Sequence, residues 1–291
     1  MQVTEHLKDK FKQVANLPTL PKVASHLIRI INDPLTSSSD VAFLIGQDLS
    51  LTAKVLRLAN SAYYGVPRTI TNINTAVVIL GMKVINTLVL SLTVFDMFPG
   101  NKKNSQLFDR QAFWLHSLSC GLICKSIAKK VKRILPIDPE EAFCAGLLHD
   151  IGKVVLEQYM HEDFHKALQY SLEMKIPTIE AEKKILGFSH TDVAEWLTDN
   201  WDLPLEIQHP LTFHHTVANT PDCHDIVGLC HISDWLCYEA GLGPGKQYMA
   251  PPLQKHAIEN LKIRDEDLEE IKLSLPEEIE KTSIFFEIVN G

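Results

Sequence analysis

Apolar residues recur at intervals of three and four along most of this chain, and strict alternation is sustained nowhere. In LPTLPKVASHLIRIINDP, Val23, Leu27, Ile28 and Ile31 fall on one helix face between flanking prolines. DLSLTAKVLRLANSAYYG repeats the pattern through Leu51, Val55, Leu56 and Leu58, then ends in Asn, Ser and Gly. NINTAVVILG and MKVINTLVLSLTVFDMF read as two more apolar helices. Further on, a long helix is expected from about 109 to 131. Another opens at DPEEAFCAGLLHD, with Asp138 as N-cap, Pro139 in the first helical position and two glutamates in the first turn. Helices also fit 161–174, 178–186, 189–200, 204–213 and 222–240, with GLGPGKQYMAPP as a long loop and two or three short charged helices from about 253 to 290. The opening residues, MQVTEHLKDKFKQVANLP, read as a charged amphipathic helix. The fold class is all-α, and no sheet is expected.

The best internal boundary is FPGNKKNSQ, residues 98–106, where turn formers and charge cluster. It divides an N-terminal helical part, 1–100, from a helical core, 101–240, with a loop and tail over 241–291. A chain of 291 residues has room for real cores in both parts. The net charge of −8 argues against binding a nucleic-acid backbone. The start of the chain lacks the basic cap and apolar segment of a secretory leader. TAVVILGMKVINTLVLSLTVF is interrupted by Lys83 and diluted by Asn86, Thr87, Ser91 and Thr93, so buried helices are expected there rather than a membrane span. A cytoplasmic setting follows. The six cysteines, none in a CxxC pair, are expected to be small buried hydrophobes.

Within these apolar helices a few polar residues stand out. GLLHDIGKVV places His149, Asp150 and Lys153 among leucine, isoleucine and valine, on one side of what reads as a single helix. A buried carboxylate needs a compensating cation, and either a metal ion or Lys153 supplies one. His116 lies mid-helix in QAFWLHSLSCGLIC. His190 follows a Ser189 cap in LGFSHTDVAEWL, with Asp192 completing a capping box. His214 and His215 are adjacent in PLTFHHTVAN, and Asp234 lies in the apolar LCHISDWLCYEA. A second His-Asp pair, His224–Asp225, follows Pro221 at a helix start, where capping is the simpler role. Five segments each offering an imidazole or carboxylate make a ligand set suited to iron, manganese, zinc or nickel. His149–Asp150 and His214–His215 could serve two ions, with Asp150 as the bridge.

In this order, H…HD…H…HH…D, the residues resemble the HD superfamily of metal-dependent phosphohydrolases. The N-terminal segments LPTLPKVASHLIRIINDP, DLSLTAKVLRLANSAYYG and INTAVVILGMKVINTLVLSL look like an HDOD domain, a helical HD-related output domain of bacterial signalling proteins. The resemblance covers residue 16 to about 240. It implies a multi-helical HD-like bundle with an additional N-terminal helical subdomain. HDOD domains often lack part of the metal set and act as regulatory modules, whereas this chain keeps a candidate at every position. The sequence is also similar to the HD-GYP phosphodiesterases through HDIGK and HH. It departs from them in lacking Gly-Tyr-Pro after His215, and in having Ala112 where some of those enzymes carry a further glutamate ligand.

The resemblance implies one or two divalent metals, iron or manganese ahead of nickel or zinc. His116, His149, Asp150, His190, His214, His215 and Asp234 would be the ligands, and Asp150 and Lys153 the catalytic pair, with Lys153 meeting a phosphate oxygen. Two functions follow as expectations: hydrolysis of a phosphate ester or nucleotide, or a signalling module that binds other signalling proteins without turnover. No membrane partner is expected.

Overall fold

In the computed structural model, the described residues are 19–290 apart from 31, 32, 34, 62, 100–106, 133, 223, 246 and 247; no side chain is described at 265, 277–279, 281–285 or 288–290. The expected N-terminal amphipathic helix, most of the 98–106 connection and Cys223 therefore lie outside the described residues. The regular structure among those described is all helix, with no strand. They group into two compact units, one formed by residues 107–278 and the other by 19–99 together with 279–290.

The smaller unit contains α1 (Lys22–Ile30), α2 (Ser38–Gly46), α3 (Leu49–Ala59), α4 (Ile73–Leu80) and α5 (Met82–Met97). Local chemistry sets their starts. Ser37 and Asp40 form a capping box ahead of α2, and the side chains of Asp48 and Asn72 accept backbone N–H groups at the starts of α3 and α4. Asn60 then closes the long α3–α4 connection: its side chain donates to the Ile70 carbonyl at 2.8 Å and accepts from the Ile70 N–H at 2.7 Å. Among the described residues no single helix is long and apolar enough to cross a membrane. α4 and α5 pass that test only together, and they meet at a bend of 119°. Residues 87–95 of α5 are buried, and Ser91 returns its hydroxyl to the Thr87 carbonyl at 2.6 Å, so its polar groups are satisfied inside the core.

The larger unit contains α6 (Arg110–Val131), α7 (Pro139–Leu148), α8 (Ile151–Tyr159), α9 (His161–Met174), α10 (Thr178–Leu186), α11 (His190–Trp201), α12 (Leu205–Phe213), a 3-10 turn (Val217–Asn219), α13 (His224–Glu239), α14 (Lys255–Leu261) and the start of α15 (Asp265–Asn290). Asp109 caps α6, which the sequence places from about 109, and Asp138 caps α7 with Pro139 following, as the sequence predicts. Two expectations change. The tail forms one short helix and one long one, because Pro276 is carried inside α15 rather than ending it. GLLHDIGKVV is not one helix: α7 stops at Leu148, and Asp150, at φ −98° and ψ 11°, starts α8.

Two close approaches hold that break in place. A Cβ on Gly146 would lie 2.8 Å from the Gly121 Cα and 2.6 Å from the Cys124 sulfur, so α7 and α6 cross with no side chain between them. A Cβ on Gly152 would lie 1.9 Å from the carbonyl oxygen of His190, so the first turn of α8 rests on the start of α11. The helix break thus lies between α6, which carries His116, and α11, which carries His190.

Candidate metal centre

All seven ligand candidates and Lys153 converge in the larger unit. His116 comes from the middle of α6, His149 and Asp150 from the α7–α8 break, and Lys153 from the first turn of α8. His190 opens α11, His214 and His215 follow α12, and Asp234 lies within α13. His116, His149, His190 and His214 are fully buried, and Asp150 and Asp234 are 1% exposed. His215 alone of the set is partly exposed.

Asp150 stands at the middle, and its two oxygens face different neighbours. Oδ2 lies 3.4 Å from His149 Nε2 and 3.6 Å from His116 Nε2. Asp234 Oδ1 closes this side, 3.2 Å from His116 Nε2 and 3.5 Å from His149 Nε2. Oδ1 of Asp150 lies 3.2 Å from His190 Nε2 and 3.7 Å from His214 Nε2. On that side His215 Nε2 is 3.2 Å from His190 Nε2. Two groups of ligating atoms therefore share one carboxylate. Lys153 donates to Asp150 Oδ2 at 2.6 Å, across the start of α8 rather than along a continuous helix.

The outer nitrogens fix the orientation of the rings. His116 Nδ1 donates to the Leu242 carbonyl at 2.9 Å, His149 Nδ1 to Gly146 at 2.7 Å, and His214 Nδ1 to Pro210 at 2.9 Å. His190 Nδ1 donates to Glu182 Oε2 at 2.6 Å, and the same oxygen accepts the His190 backbone N–H at 2.7 Å. With Nδ1 committed as donor, each ring turns Nε2 inward, and this is how metal-binding histidines are commonly braced. Those inner atoms lack partners: His116, His149 and His214 Nε2, Asp150 Oδ1 and Asp234 Oδ1 are buried without a hydrogen bond among the described residues. Buried polar atoms left unpaired are costly. Five gathered around Asp150 in these two groups fit cations, and the imidazole–carboxylate set suits a divalent transition metal.

With protons as the only cations, the site polarises. Burial works against a charged His149, yet the Asp150 carboxylate and then Asp234 outweigh it and raise its pKa to about 9. His116 is likewise raised: burial opposes its charge, and the nearby Asp150 and Asp234 carboxylates outweigh it. Burial lowers His214 to about 4, and burial, His214 and His190 lower His215. Burial would raise Asp150, but His149 and Lys153 hold it well below the usual carboxylate range. Burial opposes the Lys153 ammonium, but Asp150, Glu182 and Asp234 keep its pKa above the ordinary value.

The sequence reading missed the supports around these ligands. Glu182 is fully buried on α10; its signal is the register of Ile179, Glu182 and Leu186 on one helix stripe. His231 donates from Nδ1 to the His214 carbonyl at 2.7 Å and accepts the Gln254 N–H on Nε2 at 2.9 Å. Gln254 in turn donates to the His215 carbonyl at 2.6 Å. His231 and Gln254 thus tie down the backbone of the His214–His215 pair. The second His-Asp pair stays away from the centre, with His224 opening α13 and Asp225 in its first turn. The described cysteines are buried, as expected of small core residues.

Comparison with known proteins places this arrangement in a family. The chain is 26% identical over 210 residues to an uncharacterised protein of Treponema pallidum (strain Nichols), a match covering 72% of this chain and about 40% of that longer protein. The crystal structure of an HDOD domain protein of unknown function from Geobacter sulfurreducens superposes with a TM-score of 0.81 at 26% identity, covering 98% of each chain. A provisionally named metal-dependent phosphohydrolase from Shewanella amazonensis SB2B has the same fold, with a TM-score of 0.64 at 20% identity and 98% coverage of each chain. The sequence profile of the HDOD domain matches residues 17–217, more than half the chain and all of the ligand candidates except Asp234. This protein therefore belongs to the HDOD domain family.

Proposed function

We propose that this HDOD protein is a bacterial signalling protein whose HD-type centre binds two divalent transition metals and hydrolyses a phosphate ester. The observation that carries the reading is the set of inward, unpartnered imidazole and carboxylate atoms arranged as two groups around Asp150. One ion would be held by His116, His149, Asp150 and Asp234, the other by Asp150, His190, His214 and His215. Iron or manganese suits this nitrogen- and oxygen-rich set, with nickel and zinc as further fits. Metal ions so held supply Lewis acidity toward a phosphoryl oxygen and lower the pKa of bound water.

The chain's own groups do the rest. Asp150 fixes the spacing of the two ligand groups. Lys153 keeps a localised positive charge beside Asp150, where it can meet a phosphate oxygen. The Shewanella relative is named for this same chemistry, as a metal-dependent phosphohydrolase.

The burial of the ligands favours a second reading. Six of the seven are at most 1% exposed, and structural metal sites are closed whereas catalytic ones keep an open position. On that reading the metals brace a module that binds other signalling proteins. A screen of phosphate monoesters, diesters and nucleotides with metal-loaded protein separates the two. Hydrolysis is expected, and Lys153→Ala should keep its metal while losing roughly 100-fold in turnover, the scale of one electrostatic stabiliser. Full metal loading with no hydrolysis of any ester would establish the second reading instead.

A further inference from the structure

A second cluster of ligating groups lies in the same unit and uses none of the residues above. Glu157 is in the last turn of α8, His161 opens α9, and His165 follows one turn later. The spacing of four keeps all three on one side despite the break at Met160 (φ −134°, ψ 37°). The Glu157 side chain is 5% exposed, and both its oxygens are engaged: Oε1 accepts from His161 Nδ1 at 2.9 Å and Oε2 from His165 Nε2 at 2.9 Å. The imidazole rings lie with centroids 3.9 Å apart and planes inclined at 38°.

One ligand atom from each of the three lies within 4.8 Å of the other two. Zinc bonds of about 2.0–2.2 Å to nitrogen and oxygen need tetrahedral ligand atoms about 3.4 Å apart. Small rotations of the two outer rings supply the difference, since the side chains of His161 and His165 are 52% and 18% exposed. A buried carboxylate needs a cation or strong donors nearby. One divalent ion shared by both rings and the carboxylate would compensate the buried charge of Glu157 while using the three ligand atoms already gathered there. Arg110, buried and electrostatically coupled to Glu157, moderates the attraction for a second cation.

We propose that Glu157, His161 and His165 form a separate site for a divalent late transition metal, zinc in the first instance, with its remaining position open to solvent beside His161. An ion there pins the start of α9 to α8, one turn from Lys153. The test is equilibrium dialysis of the full chain against zinc, comparing wild type, the His161→Ala/His165→Ala double variant and Asp150→Ala. Wild type should hold about one zinc more per chain than the double variant, and Asp150→Ala should keep that ion. Loss of His165 alone should weaken it at least ~10-fold. In the unmodified chain, zinc should also shield His161 and His165 from diethyl pyrocarbonate, read by peptide mass mapping, so the result does not hang on a variant's folding. Equal zinc content in wild type and double variant, or rings that react equally with and without zinc, would overturn the proposal.

Discussion

At the scale of single residues, Asp150 and Glu182 show how differently buried charge can be written. Asp150 has Lys153 and four imidazoles as neighbours, and its aspartate stands out in an apolar run. Glu182 spends one oxygen on both the Nδ1–H and the backbone N–H of His190. Glu182→Ala should leave the ligand set intact yet weaken metal binding about 10–100-fold, the usual cost of removing a carboxylate behind a metal-binding histidine. Competition with a chromophoric chelator measures this, and an unchanged affinity would remove Glu182 from the centre. The difference in legibility has a physical cause. His116, His149, Asp150, His190 and Asp234 interrupt apolar segments, so each is conspicuous. Glu182 sits in TIEAEKKIL among other charges, and only its place between Ile179 and Leu186 marks it as buried. His231 is hidden for a similar reason, since a histidine three residues before Asp234 looks like another ligand candidate or a core residue until its two hydrogen bonds are seen.

At the scale of elements, the helices were readable because their caps are local. Asp109, Asp138 and Ser189 begin helices where the sequence predicts them, and Asp192 returns its carboxylate to the Ser189 N–H at 2.7 Å. The break at His149–Asp150 was not readable, because apolar periodicity runs straight through it. What imposes it is tertiary: Gly146 lets α7 sit against α6, and Gly152 lets α8 sit against the His190 carbonyl. Gly152→Ala should therefore cost about 3 kcal/mol or more, since the methyl meets backbone and not a movable side chain. It should also displace His190 from Asp150 and lower metal content in the protein that still folds. Urea unfolding beside metal analysis checks both; a loss below ~1 kcal/mol would mean that α8 has room to move.

At the scale of the whole molecule, the proposed metal binding is coupled to protons and folding at the centre. His149, raised to about 9 without metal, contributes stability to the metal-free protein that is fully present below its unfolded value of 6.5 and lost as pH rises through about 9. Asp150 acts with the opposite sense: its depressed pKa gives stability present above the ordinary carboxylate range and lost on acidification. A metal must displace the His149 proton, whereas His214, lowered to about 4, is already neutral. Metal affinity should thus rise from about pH 6 to about pH 8, with proton release visible as a buffer-dependent binding enthalpy. A flat affinity over that range would contradict the charge assignment. The same coupling means that metal removal should lower the thermal stability of the larger unit.

Whether the charges buried around Asp150 hold metal, as proposed, is tested most directly by the metal content of protein purified without chelator or histidine tag, beside Asp150→Ala. Roughly two divalent transition metals per chain are expected in the wild type at this centre, as for two-metal hydrolytic sites, with a marked loss in the variant. No metal in the wild type, and none after anaerobic reconstitution, would contradict the proposal and leave the centre as a buried network of protonated histidines and carboxylates.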